Sequence, residues 1–200
     1  MAVGATTEAL ANLVTPVISS VVLEAEKTYT FLTVSYAGHI VRGERARGDE
    51  VSYARIGRAT VGDIVVSNIN AVNRAIGVVP KGMDDLLVSS EFTVLRKKRG
   101  AKVDPMYLWS VLRSPAVIAE WISKSTGAGR HRVDWDRLRH QRIPMLPYPE
   151  QKRVGSLYRR ALALEIKGNE LEKKAGEALS CLQLETEAAR ARLVAAKPPK

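Results

Sequence analysis

From Glu150 onward the chain carries no proline until Pro198 and only three glycines, and this segment constrains the fold more than any other. Val154, Leu157, Ala161, Leu164, Gly168, Leu171, Ala175, Ala178 and Leu182 fall at alternating steps of three and four over four heptads. That spacing is the apolar seam of a coiled coil. About 45 residues at a rise of 1.5 Å make a rod of roughly 65 Å. A rod of that length cannot bury its whole seam against one small domain. A second helix is required, and a second copy of the same chain supplies it most economically. A helix folded back over its own domain is the other arrangement compatible with the pattern. Small residues at Ala161, Gly168, Ala175 and Ala178 predict a close helix–helix approach.

Before Pro149 the pattern is short, strand-like and punctuated by glycine. Residues 28–35, 64–67, 75–79 and 92–95 are rich in β-branched and aromatic side chains, with turns at Gly62-Asp63 and Pro80-Lys-Gly82. Asp104-Pro105 reads as an N-cap followed by a first-turn proline. The helix it opens runs through Trp109 and Leu112, is interrupted at Pro115, and continues to Ile122. A further short helix is expected around Trp135–Leu138. The fold class is therefore α+β: a mixed domain over residues 1–148, a coiled-coil helix over 149–196, and a basic tail over 197–200.

Thirty-one basic against 21 acidic side chains give a net charge of +10, and the pI near 9.9 suits a polyanionic partner. The single Cys181 excludes an internal disulfide framework, and with only His39, His131 and His140 the chain offers no metal site. No apolar run approaches the roughly 20 residues needed to span a bilayer, and no secretory signal is legible at the N-terminus. A cytoplasmic protein with no membrane partner is expected.

Enzyme-like strings do not assemble into a site. Asp104-Pro-Met-Tyr107 is one residue from the Asp-Pro-Pro-Tyr motif of adenine-N6 methyltransferases. The glycine-rich strand-to-helix turn that would hold a methyl donor is missing. Asp104 reads instead as a helix cap. Glu165-Ile-Lys167 lies within the coiled-coil segment, and Gly127-Ala-Gly129 precedes no lysine–serine pair. No nucleophile, base and oxyanion site come together, and no enzyme activity is expected.

What remains suits DNA. Gly38–Gly48 with Arg42, Arg45 and Arg47, continuing to Arg55, is the first polar stretch. Asn68, Asn70, Asn73 and Arg74 form the second, and Lys124, Arg130, His131 and Arg132 on a glycine loop form the third. Arginine forks pair bidentately with guanine and asparagine with adenine, and both reach phosphates. The asparagines equally fit a hairpin turn. Arg96-Lys-Lys-Arg99 reads as a solvated strand end with, at most, non-specific phosphate contact. Trp109, Trp121 and Trp135 sit among aliphatic residues, as core tryptophans do.

Residues 62–67, 73–80 and 87–94, then Tyr107–Ser114, then Gly127–Leu138 followed by Ile143-Pro-Met-Leu-Pro147 and Glu150-Gln151, resemble in order and spacing the target-recognition domain of type I restriction–modification specificity subunits. The likeness runs from about Tyr29 to Leu182. It implies double-stranded DNA as ligand, an adenine methyltransferase subunit and a restriction/translocase subunit as partners, and S-adenosylmethionine, ATP and Mg on those partners only. Such subunits usually carry two recognition domains and two helices, whereas this chain holds one of each. A half subunit whose homodimer rebuilds the two-domain form is therefore expected. The competing reading is a coiled-coil adaptor whose globular domain binds protein.

Overall fold

A computed structural model describes residues 6–17, 20–52, 56–83, 86–123 and 132–195, with side chains through residue 184 and at residues 186 and 187. The chain divides into two compact units, Met1–Tyr158 and Arg159–Lys200. The first is mixed α+β and the second is helical, so the expected fold class holds.

The first unit opens with β1 (Thr7–Ala9), α1 (Leu10–Leu13), β2 (Val14–Pro16), β3 (Thr28–Val34), β4 (Ile40–Arg47) and β5 (Ile56–Arg58). There follow β6 (Ile64–Ser67), β7 (Ile76–Val78), β8 (Leu87–Ser89) and β9 (Phe92–Lys97). Helices α2 (Pro105–Leu112), α3 (Pro115–Ser123) and α4 (Trp135–Leu138) and strand β10 (Arg142–Pro144) follow, and helix α5 (Tyr148–Ala195) begins in this unit and makes up the second. One sheet has the order β2-β9-β6-β7, a second β4-β3-β8-β5, and β1 pairs with β10. Period-two alternation places the core between the two larger sheets. Leu32, Val34 and Val88 from one sheet share a buried cluster with Val65 and Val94 from the other. Phe31 and Leu87, one residue out of phase, turn to the opposite face and meet Ile56.

Strand β4 corrects the sequence reading, in which residues 38–48 are a polar loop. They form an eight-residue strand antiparallel to β3 with a register shift between Thr30 and Leu32. Edge position explains the missed signal. Past Ile40 the strand's side chains are exposed or half-buried, so no apolar alternation marks it. The break between α2 and α3 falls at Pro115, which lacks the amide hydrogen a continuous helix needs.

Asp104 is a helix cap. Its carboxylate accepts from the amides of Met106 at 2.9 Å and Tyr107 at 3.0 Å, with Pro105 in the first turn. The same residue anchors α5. Its backbone amide donates to Gln151 Oε1 at 3.1 Å, and the Gln151 amide nitrogen donates to the carbonyl of Leu146 at 2.8 Å. Gln151 is 1% exposed. Gly155 follows one turn later, where an added Cβ would stand 2.1 Å from Asp104 Oδ1. Trp109 meets Tyr158 edge-on at 5.5 Å between ring centres. The first three turns of α5 thus belong to the folded domain, and the compact unit extends to Tyr158.

Two substitutions test this anchor. Gly155→Ala forces carbon into a carboxylate and is expected to cost about 1–3 kcal/mol. Gln151→Ala strips the buried Asp104 amide of its acceptor, at a similar cost of about 1–3 kcal/mol. Urea unfolding measures both, and unchanged midpoints would show that the anchor carries no stability.

Candidate nucleic-acid interface

The asparagine turn is positioned by α2. Trp109 Nε1 donates to the Ile76 carbonyl at 2.7 Å, and the Arg113 guanidinium stacks over the Trp109 ring at 4.7 Å. From there Arg113 donates to the carbonyls of Arg74, Ile76 and Tyr36, the last two at 3.3 and 3.1 Å. One guanidinium therefore ties the turn before β7 to the turn between β3 and β4. Arg74 adopts the left-handed conformation, φ +65°, directly after a short 3-10 turn at Ala71–Asn73. Gly38, at φ +92°, has no room for a side chain, since a Cβ would lie 2.2 Å from Arg113 Nη1. The scaffold leaves Asn73 and Arg74 exposed and Asn70 half-buried. Asn70 receives the amides of Asn73 at 3.0 Å and Ala75 at 3.1 Å on its carbonyl, so it also shapes the turn.

Asn68 does not belong with them. It is 5% exposed, its Oδ1 accepts from Thr93 Oγ1 at 2.7 Å, and its Nδ2 donates to the Ser90 carbonyl at 3.3 Å. Its backbone also accepts from the Val133 amide at 2.8 Å. Burial and occupied amide atoms make Asn68 a structural tie between β9 and the start of α4, unlike the exposed members of the expected DNA-contacting set.

The arginines of β4 divide the same way. Arg42 and Arg45 are exposed, and Arg42 Nη2 donates to the Gly82 carbonyl at 3.3 Å. Arg47 is held by acids: Nε and Nη2 grip Asp49 at 3.1 and 3.0 Å, and Nη2 also reaches Glu26 at 3.0 Å. The hydrogen bond to Asp49 raises the Arg47 pKa, and the same bond lowers that of Asp49. With its fork occupied, Arg47 pins the strand end. Arg132 is half-exposed and pairs with Glu91 at 3.2 Å. Arg55, Lys124, Arg130 and His131 lie outside the described residues.

Of the three tryptophans, Trp109 and Trp121 are core, 4% and 1% exposed. Trp121 Nε1 donates to Gln141 Oε1 at 2.7 Å. Trp135 departs from the expectation. It is half-buried and lines a cleft of about 360 Å³ with Phe92, Ser90, Asp134 and Asp136. Two carboxylates on that wall repel phosphate. Among the described residues no cluster of His, Cys, Asp or Glu could hold a metal, and no helix is long and apolar enough to cross a membrane.

The comparison with solved structures aligns almost the whole chain. The HsdS subunit from Thermoanaerobacter tengcongensis matches over 96% of this chain and 50% of that one, with TM-score 0.64 and 21% identity. The chain has the HsdS fold. A second match comes from a structure addressing complex assembly and conformational transition of the type I R-M system. It covers 98% of this chain and 52% of that chain, with TM-score 0.61 and 20% identity. The chain thus spans about half the length of the solved HsdS-type chains it matches. No protein-family model matches the sequence, and no curated protein does. Asp63, Asn68, Asp104 and Gln151 are the buried polar residues that tie the turns and helix starts of this fold together.

Proposed function

We propose that this chain is a half-length specificity subunit of a type I restriction–modification system. It reads one half of a bipartite DNA target and pairs with a second copy through α5. It directs an adenine methyltransferase subunit and a restriction/translocase subunit while doing no chemistry itself. The observation that supports the reading is the coverage: 96% of this chain aligns with 50% of an HsdS subunit. S-adenosylmethionine, ATP and Mg belong to the partners in this scheme. The contact set is Arg42, Arg45, Asn70, Asn73, Arg74 and Arg132, joined by Arg55, Lys124, Arg130 and His131 from the sequence pattern.

Duplex binding at graded salt tests the proposal. A chain neutralising several phosphates loses orders of magnitude in affinity between low and moderate salt. Absence of duplex binding at low salt would favour the protein-adaptor reading. Purified chain supplied with S-adenosylmethionine, magnesium and ATP is expected to show no methyl transfer and no cleavage. Methyl transfer that persists through purification and is lost in Asp104→Asn would overturn that expectation, because it would give the helix cap a chemical role.

A further inference from the structure

The basic run at the end of β9 is two different things. Arg96 is structural: Nε and Nη2 grip Asp63 at 2.9 and 2.7 Å, and Nη2 reaches Thr60 Oγ1 at 2.9 Å. Asp63 is 2% exposed, and its bond raises the Arg96 pKa. The residues beyond it behave otherwise. Lys97, Lys98, Arg99 and Lys102 are all exposed and stand within six positions on a tight turn, with Gly100 at φ +83°. Lys97 Nζ reaches only the Ala101 carbonyl, at 3.5 Å, and none of the four meets a carboxylate among the described residues.

This sets them apart from five arginines of the domain. Arg47, Arg96, Arg132, Arg139 and Arg153 each have an acidic partner. The acids on neighbouring elements are engaged, Asp63 by Arg96 and Glu150 by Arg153 at 2.9 Å. The turn is also fixed in place. The Lys98 amide donates to the Leu13 carbonyl at 3.0 Å, and the Lys102 carbonyl accepts from Gln151 at 3.4 Å. Four like charges are therefore concentrated on an anchored loop with no carboxylate partner among the described residues.

Register separates this turn from the asparagine turn. Ser67 pairs with Phe92 at one end of the β6–β9 ladder and Ile64 with Leu95 at the other. Asn68 leaves the first end and Lys97 the second, five steps of β9 apart, or about 17 Å at strand rise. We propose that Lys97, Lys98, Arg99 and Lys102 form a phosphate-binding surface, distinct from the base-reading turns, that holds duplex DNA without regard to sequence. Composition favours phosphate over a protein partner. Three of the four are lysines, which are depleted in protein interfaces, whereas exposed cations that bind phosphodiesters release condensed counterions. The proposal rests on the DNA-reading function above.

The test is the full-length chain with all four residues changed to Gln, titrated with a 30-base-pair duplex of arbitrary sequence across a salt series. A control chain carries Arg160, Lys167, Lys173 and Lys174 changed to Gln, which removes the same charge from α5. The turn variant is expected to flatten the slope of log K against log salt by about 3 to 4 units and to weaken binding tenfold or more at low salt. The control is expected to keep most of the slope. Unchanged slope in the turn variant, or an equal loss in the control, overturns the proposal. So does wild-type DNA binding in the turn variant accompanied by lost capture of the methyltransferase subunit, since that would make the surface a protein contact. Failure of the wild-type chain to bind any duplex would sink the DNA-reading function itself and is distinguishable on that ground.

Discussion

The double variant Leu164→Asp, Leu171→Asp is expected to sediment as a monomer at micromolar concentrations where the wild-type chain sediments as a dimer. In the single chain Leu164 is 69% exposed and Leu171 57%, and Leu157, Leu179, Leu182 and Leu184 are exposed as well. Among the described residues the second unit is one helix, and those leucines face solvent. Water-exposed leucines along a helix this long favour association, since each side chain buried contributes about 1.5–3 kcal/mol. Aspartates placed in the resulting seam lose their hydration at several kcal/mol per charge. The same substitutions cost the isolated chain almost nothing, because both positions already face solvent. Thermal unfolding of the α/β unit is therefore expected to match wild type. A wild-type chain that is monomeric at micromolar concentration would remove the paired-helix account, and a double variant that stays dimeric would move the interface elsewhere.

Deleting residues 168–174 is expected to change the spacing between the two half-sites of the target and to leave the half-sites intact. Helix α5 has 48 residues, about 72 Å at helical rise. One heptad is about 10 Å of that length, and its removal keeps the seam in phase. In a two-fold pair, identical readers require identical half-sites in inverted orientation. Their separation then follows from the helices, not from base contacts. Selection of bound duplexes from a random pool, run with wild-type and deleted chains, measures the spacer directly. An unchanged spacer would mean that α5 does not set it.

The parts of the fold legible in sequence were those with a local cause. Asp104-Pro105 specified a cap and a first turn, Pro115 a break, and Trp135–Leu138 a four-residue helix, and each stands where the residues put it. Strand β4 was hidden because an edge strand needs no apolar alternation, so its arginines read as loop. The internal partners of Asn68 were hidden for a related reason. Side-chain type announces what a residue can bind, but the partners of Asn68 lie 22 to 25 positions away. Gln151 was noticed as the start of the long helix, yet its role as the tie to Asp104 spans 47 residues and left no local mark. The exposed leucines of α5 came through clearly, because a heptad is itself a local pattern.

The most direct test of the central claim is a methylation map of DNA from cells that carry this chain together with its methyltransferase partner. The account predicts adenine methylation within an interrupted palindrome, two identical inverted half-sites around a fixed unread spacer, dependent on the presence of this chain. Methylation at a continuous, non-palindromic sequence, or a pattern unchanged when the chain is removed, would contradict it.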